Sequence, residues 1–267
     1  MQFSDFITEQ KNTHMTHIED KVLYGGVKGT RDAILALRSL RDMLGGEHDG
    51  KVSVKWDGAP AIFCGTDPRD GEFFVAKKGI FAKSPKVYKS NADIDADTSG
   101  DLNTKLKLAL KHLPELGIKG IIQGDFLYSK SDVKTQKIKG KNYVTFHPNT
   151  IVYAIPRESD ASDAIMKSKI GIVWHTTYTG RTFETLKASY GVDVSKFRSS
   201  RNVWSQDATL RDLTNLTMTR KDTDEVTNYL STAGQIFNQI SGTTLRTLEK
   251  DPELAVSYTH LTLPTKL

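Results

Sequence analysis

The sequence is poor in cysteine and has no long apolar run. Cys64 is the one cysteine among 267 residues, so no disulfide can form within the chain. No group of cysteines and histidines has the spacing of a zinc site. No stretch approaches the roughly 18 apolar residues that a membrane span needs, and the first residues lack the basic flank of a signal peptide. These absences favour a soluble intracellular protein without structural metal or a membrane partner.

Charge is plentiful but unevenly distributed. The 37 basic and 32 acidic residues give a net charge of +5. Residues 51–90 hold eight basic and four acidic side chains, and residues 128–143 hold five lysines and one aspartate. Such runs are usually solvated faces or loops, and they matter for function where they flank a site that handles phosphate. The five lysines of the second run are Lys130, Lys134, Lys137, Lys139 and Lys141.

The hydrophobic pattern predicts an α+β fold. A helix is expected over 30–44, with Thr30 as its N-cap and two glycines after it. Between 51 and 174, short apolar runs separated by turn residues predict strands, with an amphipathic helix over 103–113 among them. Thr219 can cap a later helix. We therefore expect an antiparallel sheet with flanking helices.

The same pattern predicts the domain organisation. A helical segment is expected over 1–50, a strand-rich core over 51–205 and a helical extension over 206–254. The last residues, 255–267, resemble a translated sequencing adapter, and we leave them out of the fold prediction. We accordingly expect the natural protein to continue past Leu254 and the core to be truncated at its C-terminal end.

The most informative segment is Lys55-Trp56-Asp57-Gly58, which comes after a predicted strand ending at Val54. Asp-Gly favours a tight turn, so the strand delivers Lys55 to an exposed end of the sheet. A Lys-x-Asp-Gly sequence also occurs by chance in many hairpins, where the lysine is an ordinary surface residue. The segment therefore indicates chemistry only in combination with motifs elsewhere in the chain.

Three later features follow the Lys-x-Asp-Gly segment along the chain. Lys77-Lys78-Gly79 comes after a strand about twenty residues on, Gly124-Asp125 ends another strand, and Tyr153 lies in a later aromatic strand. With the Lys-x-Asp-Gly segment they resemble the superfamily of ATP-dependent RNA and DNA ligases and capping guanylyltransferases. The sequence departs from that superfamily in having Asp125 where glutamate is usual, and in lacking its last two motifs before Leu254.

The resemblance implies a catalytic lysine. Lys55 would form a lysyl-AMP intermediate from ATP, with Asp57 and Gly58 as its catalytic partners, and Asp125 would meet Mg²⁺. A lysine must lose a proton before it attacks phosphorus, and nearby cations favour the neutral amine. Basic groups and Mg²⁺ also stabilise the charge that develops as pyrophosphate leaves. The nucleotide-binding residues implied are Val54, Trp56, Lys77, Lys78, Asp125 and Tyr153, the last by stacking on the base.

The resemblance also implies a nucleic-acid partner. AMP would pass from the lysine to a 5′-phosphate, and the lysines of residues 128–143 would hold the backbone without reading sequence. RNA is favoured over DNA because Ala59-Pro60-Ala61 lacks the arginine that commonly comes after the motif in DNA ligases. A DNA ligase or a GTP-dependent capping enzyme is the alternative within the superfamily. Outside it, the alternative is a non-catalytic phage protein with the same fold that binds nucleic acid or serves in the virion.

His147 and His175 lie beside apolar strands, so we predict structural roles for both. Residues 13–254 are similar to uncharacterised proteins of tailed phages that infect marine bacteria, particularly over His17-Ile18-Glu19-Asp20, the Lys55 segment and residues 171–178. That similarity implies that the protein acts in the cytoplasm of an infected bacterial host.

Overall fold

The computed structural model describes residues 18–46, 53–212 and 217–248. The predicted adapter segment, 255–267, lies outside the described residues. Two compact units are present: a core unit over Ser53–Arg211, and a helical unit that contains the described residues before and after it. No helix in the described part of the chain is both long enough and apolar enough to cross a bilayer.

The helices and strands alternate irregularly along the chain. The helices are α1 (Ile18–Leu44), α2 (Asn91–Asp97), α3 (Gly100–His112), α4 (Asp160–Lys167), α5 (Arg220–Gln239) and α6 (Gly242–Thr247). The strands are β1 (Ser53–Lys55), β2 (Ala61–Thr66), β3 (Phe73–Ala76), β4 (Ile121–Ser129), β5 (Lys134–Ile138), β6 (Lys141–Phe146), β7 (Tyr153–Pro156), β8 (Ile170–Thr179), β9 (Lys187–Tyr190), β10 (Val203–Asp207) and β11 (Thr209–Asp212). Short 3-10 turns connect several of them, including one over Lys78–Phe81.

In the helical unit, α1 packs against α5 and α6. The predicted N-cap at Thr30 is wrong, because the helix begins at Ile18 and continues through a kink at Gly26, whose φ is 53°. Thr30 lies inside it and donates its hydroxyl to the Gly26 carbonyl at 2.8 Å. The cap at Thr219 is confirmed: its hydroxyl accepts from the Asp222 amide at 3.2 Å, and the Asp222 carboxylate accepts from the Thr219 amide at 3.0 Å.

The core unit is built on a sheet with the strand order β10-β8-β4-β2-β3, and β9 pairs with β8. Its strands pair antiparallel except for β8 and β10, which run parallel. Strand β4 lies at the centre and is buried along its whole length. A three-stranded antiparallel sheet, β5-β6-β7, and the pair β1-β11 complete the unit. The α+β class and the largely antiparallel sheets expected from the sequence are confirmed.

Side chains along β4 alternate between the two faces of the sheet. Phe126 lies on the face covered by α3, in a cluster that includes Leu106. Gln123 and Asp125 therefore point to the opposite face. There, one apolar cluster contains Ile121 at the start of β4, and another contains Leu127 near its end. The two polar residues thus lie between two apolar clusters, and this position defines the candidate site.

Candidate functional site

Lys55 ends β1, which pairs with β11. The next residue, Trp56, is buried and donates its amide to the Ala208 carbonyl at 2.6 Å. Its ring packs against Tyr153 and Trp204, with centroid separations of 4.7 and 5.7 Å. The side chain of Lys55 remains 45% exposed. An aromatic anchor therefore holds the end of the strand while the adjacent amine stays accessible.

Two carboxylates converge on the amine of Lys55. The Nζ atom lies 3.2 Å from Oδ2 of Asp125 and 3.7 Å from Oδ1 of Asp57. Asp125 arrives from β4, where it pairs in register with Ala61, the first residue of β2. The Asp125 side chain is 8% exposed and that of Asp57 is 48% exposed. The amine therefore meets one buried and one solvated carboxylate, and the fold unites the Lys-x-Asp-Gly segment with Asp125.

The segment that precedes and begins β7 holds the turn after Lys55. The Tyr153 hydroxyl accepts from the Asp57 amide at 2.8 Å and donates to the Asp57 carbonyl at 2.9 Å. Asn149 donates its side-chain amide to Oδ2 of Asp57 at 2.7 Å. Burial raises the pKa of the Tyr153 hydroxyl, so it remains a protonated donor at neutral pH. Backbone and carboxylate of Asp57 are both fixed by these contacts.

Gly58 is required by the close approach of this turn to β4. A Cβ atom at Gly58 would lie 2.6 Å from the Phe126 carbonyl oxygen and 2.9 Å from a methyl carbon of Leu127. The next amide, from Ala59, donates to the same Phe126 carbonyl at 2.9 Å. The glycine of the motif thus lets the turn lie directly on the strand that carries Asp125.

Lys105, on α3, contacts the same turn, a role that the sequence pattern does not predict. Its Nζ atom donates to the Ala59 carbonyl at 3.4 Å and pairs with Asp101 at 2.9 Å. The spacing of Asp101 and Lys105 is that of an ordinary surface ion pair on a helix, so the sequence contains no signal of this contact.

His175 reaches Asp125 from β8. Its Nε2 atom lies 3.5 Å from Oδ1 of Asp125, and its Nδ1 atom lies 2.7 Å from the Thr176 hydroxyl. The strand pairing shifts there, because Gln123 faces Thr176 while Gly124 faces Trp174. His175 is the extra residue of this β-bulge. Its apolar neighbours in the sequence predicted a structural role, whereas the bulge places its ring beside Asp125. The other histidine with a predicted structural role, His147, is exposed after the end of β6.

The two lysines after β3 lie at the same end of the sheet as the Lys55 turn. Strand β3 ends at Ala76, which pairs with Phe63 of the antiparallel strand β2. Strand β2 begins at Ala61, two residues before Phe63, so the end of β3 and the start of β2 lie at the same edge of the sheet. Lys77 pairs with Asp97 at 3.0 Å and lies 5.9 Å from the ring centre of Tyr88. Lys78 is exposed at the start of a 3-10 turn. Both lysines therefore lie at the end of the sheet where Lys55 lies, and Lys77 forms an ion pair with Asp97.

The two aromatic rings expected to bind the nucleotide lie in the core. Trp56 and Tyr153 are buried, and both pack against Phe146, with centroid separations of 6.5 and 5.3 Å. Val54, which precedes the motif, is exposed. The contacts of Tyr153 with Asp57 therefore position the turn, and its ring packs against Trp56 and Phe146.

The lysine-rich segment forms the β5–β6 hairpin. Lys139 and Gly140 make its two-residue turn with φ angles of 47° and 83°. Strand alternation and register place Lys134 and Lys141 on one face and Lys137 on the other. Lys130, at the base, donates its amine to the Met166 carbonyl. The five lysines are consequently distributed over both faces and both ends of the hairpin.

The donor atoms around Lys55 suit a magnesium ion that arrives with a nucleotide. Carboxylate oxygens are the ligands that Mg²⁺ prefers, and it commonly takes one or two of them together with phosphate and water. Asp57 and Asp125 supply such oxygens. Within residues 18–46, 53–212 and 217–248, no group of three His, Cys, Asp or Glu side chains could hold a metal ion. The described residues thus fit an Mg²⁺ ion whose remaining ligands come from the nucleotide and water, and they contain no site that would bind a metal ion through protein side chains alone.

One family model matches most of the chain. The family described as "Family of unknown function (DUF6267)" matches residues 12–262. No curated protein matches the chain. No solved structure matches it either. The geometry around Lys55 is therefore what indicates the chemistry of this chain.

Proposed function

We infer a covalent nucleotidyltransferase activity for this chain, which belongs to the family of unknown function DUF6267. One observation carries the proposal: the carboxylates of Asp57 and Asp125 meet at the amine of Lys55. The three residues have the order of the nucleotidyltransferase motifs, and the two aspartates are 68 positions apart in the chain. Convergence of an exposed amine with oxygen donors for a metal is what attack on a nucleotide phosphate requires.

In the proposed reaction, the Lys55 amine attacks the α-phosphorus of ATP. A nitrogen–phosphorus bond forms while the bond from that phosphorus to the bridging oxygen breaks. Pyrophosphate leaves with the electron pair, and the amine proton passes to solvent through the exposed Asp57 carboxylate. Mg²⁺ bound with the nucleotide would neutralise phosphate charge, with Asp125 as its protein ligand. Lys77 and Lys78 are the proposed phosphate contacts.

The carboxylates and the turn give the amine its direction. A charge-assisted contact with the buried Asp125 restricts Nζ more than a solvated pair would. The hydrogen bonds to Asp57 and the close packing at Gly58 fix the backbone on either side. Such preorganisation brings an attacking group and its target into line, and it accounts for a large part of enzymatic rate enhancement.

The second step of the proposal transfers AMP from Lys55 to the 5′-phosphate of a nucleic acid, with RNA favoured over DNA. The exposed strand β5 and the exposed start of β6 support a backbone contact through the face that carries Lys134 and Lys141. The reaction would take place in the cytoplasm of an infected bacterial host. A non-catalytic nucleic-acid-binding protein is the second candidate, and the burial of the Trp56 and Tyr153 rings favours it.

The test is covalent labelling of the full chain. Wild type, Lys55→Ala and Lys196→Ala are incubated with α-labelled ATP or GTP and Mg²⁺, then separated by denaturing electrophoresis. Lys196 is a matched control, because it is exposed and pairs with Asp193 away from the motif. We expect acid-labile label on wild type and Lys196→Ala, none on Lys55→Ala, and loss of the label when 5′-phosphorylated RNA is added. No label on folded wild type with either nucleotide would leave the non-catalytic candidate.

A further inference from the structure

We infer that His175 is a positioning residue for Asp125: it holds one carboxylate oxygen so that the other faces the amine of Lys55. The inference deepens the proposed function and rests on it. The two oxygens of Asp125 have different neighbours, Lys55 Nζ at 3.2 Å from Oδ2 and His175 Nε2 at 3.5 Å from Oδ1. A buried carboxylate needs partners for both oxygens, and here they come from separate strands.

The Thr176 hydroxyl determines which nitrogen of His175 carries hydrogen. Thr176 is 1% exposed, and Nδ1 of His175 is the hydrogen-bond partner of its hydroxyl among the described residues. A buried hydroxyl proton needs an acceptor, so the hydroxyl donates to Nδ1. The neutral ring then carries its hydrogen on Nε2, which faces Asp125. The 3.5 Å separation exceeds the usual 2.7–3.2 Å of a hydrogen bond, and contacts of this kind often tighten when substrate binds.

The β-bulge supplies this arrangement. Strict alternation would send His175 and Thr176 to opposite faces of the sheet, whereas the extra residue leaves both on the face that carries Asp125. The Gly191 amide donates to the His175 carbonyl at 2.7 Å, and the Thr177 hydroxyl donates to the Gly191 carbonyl at 2.7 Å. The connection after β9 therefore braces the bulge from the side away from β4.

Loss of the imidazole would change how Asp125 meets Lys55. Without His175, Oδ1 of Asp125 has no partner among the described residues, and the carboxylate can rotate to offer both oxygens to the amine. A tighter pair would hold Nζ back from the α-phosphorus. Partners that orient a metal-ligating carboxylate commonly contribute about 10–100-fold to activity, and Asp125 is the proposed Mg²⁺ ligand. We expect the rate of Lys55 labelling to fall by that factor in His175→Ala, with the KM for ATP unchanged.

The kinetic test compares His175→Ala, His175→Gln and His147→Ala in the full chain. A glutamine amide can place an N–H near the Nε2 position, so we expect His175→Gln to label within about threefold of wild type. His147 is exposed and serves as the control. Equal labelling rates in wild type and His175→Ala would overturn the inference, as would failure of His175→Gln to rescue when both variants melt at the wild-type temperature.

A second readout does not require catalysis. Long-range ¹H–¹⁵N NMR of the histidine rings reports the tautomer of His175, which we expect to carry hydrogen on Nε2 and to shift its Nε2 signal in Asp125→Asn. An Nδ1–H ring, or a signal indifferent to Asp125→Asn, would overturn the positioning role even if Lys55 is labelled. Absence of label with the expected tautomer and shift would reject the nucleotidyltransferase activity while supporting the contact.

Discussion

Tyr153 binds the backbone of Asp57 at two atoms, accepting from its amide at 2.8 Å and donating to its carbonyl at 2.9 Å. The tyrosine comes from β7, and the aspartate belongs to the turn after Lys55. A side chain that bonds both backbone groups of one residue fixes the peptide planes on each side of it. The direction of the Lys55 strand end thereby depends on a residue 96 positions from Asp57 in the chain.

Tyr153→Phe removes both hydrogen bonds while it keeps the ring that packs on Trp56. We expect the free energy of unfolding to fall by about 1–2 kcal/mol, because a partly buried amide and carbonyl lose their partner. The labelling rate of Lys55 should fall as well, since the turn loosens. Urea unfolding and labelling kinetics measure the two effects. Tyr190→Phe is the control, because Tyr190 is exposed; an equal loss in both variants would contradict the role given to Tyr153.

Local sequence signals located the motif and much of the sheet. Asp-Gly after a strand, and the apolar runs that became β2, β3, β4 and β8, are explained by turn chemistry and hydrophobic pattern. The hydrophobic pattern did not predict strands β5 and β6 in the lysine-rich segment, because a hairpin with charged residues on both faces has the same composition as a solvated loop. The expected boundary at residue 205 falls inside β10 for a similar reason: that strand is short and half polar.

The contacts that complete the site could not be predicted from the sequence. His175 meets Asp125 because of a one-residue shift in strand pairing, and a bulge of this kind has no fixed sequence signature. Asn149 and Lys105 reach the Lys55 turn from a loop and a helix far away in the chain. Each depends on tertiary packing between segments, which hydrophobic periodicity does not encode.

Gly58→Ala tests whether the turn must lie against β4. The added Cβ would meet backbone at 2.6 Å, so either the turn or the strand has to move. We expect a loss of about 1–3 kcal/mol in the free energy of unfolding, as is usual for overpacking, and a large loss of Lys55 labelling. Gly234→Ala on α5 is the control, since its nearest atom is a side-chain nitrogen of Arg38 at 3.8 Å. Undiminished labelling in Gly58→Ala would show that the close approach is dispensable.

Asp67 makes the core unit sensitive to acid. Hydrogen bonds from Arg69 hold the pKa of this fully buried carboxyl well below its usual range, with help from Lys89. A lowered folded pKa adds stability above the unfolded pKa of about 3.9, and this stability is lost as pH falls from there towards the folded value.

Asp67→Asn should therefore cost about 2 kcal/mol at pH 7, with the difference from wild type narrowing below about pH 4. Urea unfolding of both proteins at several pH values measures this convergence. Asp163→Asn is the control, because its pair with Arg157 is exposed and such pairs contribute little. A gap between wild type and Asp67→Asn that stays constant down to pH 2 would contradict the ionic role of Asp67.

Lysines on the two faces of the β5–β6 hairpin can be compared to distinguish a defined nucleic-acid interface from attraction by net charge. Lys134 and Lys141 share one face, and Lys137 lies on the other. If the first face binds the backbone of single-stranded RNA, the double variant Lys134→Ala/Lys141→Ala should flatten the slope of log affinity against log salt by about 1.4, which is about 0.7 for each phosphate that a lysine no longer neutralises. Lys137→Ala should leave the slope unchanged. Fluorescence anisotropy with a labelled 5′-phosphorylated RNA between 50 and 200 mM salt measures both slopes. All three lysines contribute equally to net charge. If each substitution, on either face, reduced the slope by the same amount, the hairpin would attract RNA through net charge alone and would form no defined interface.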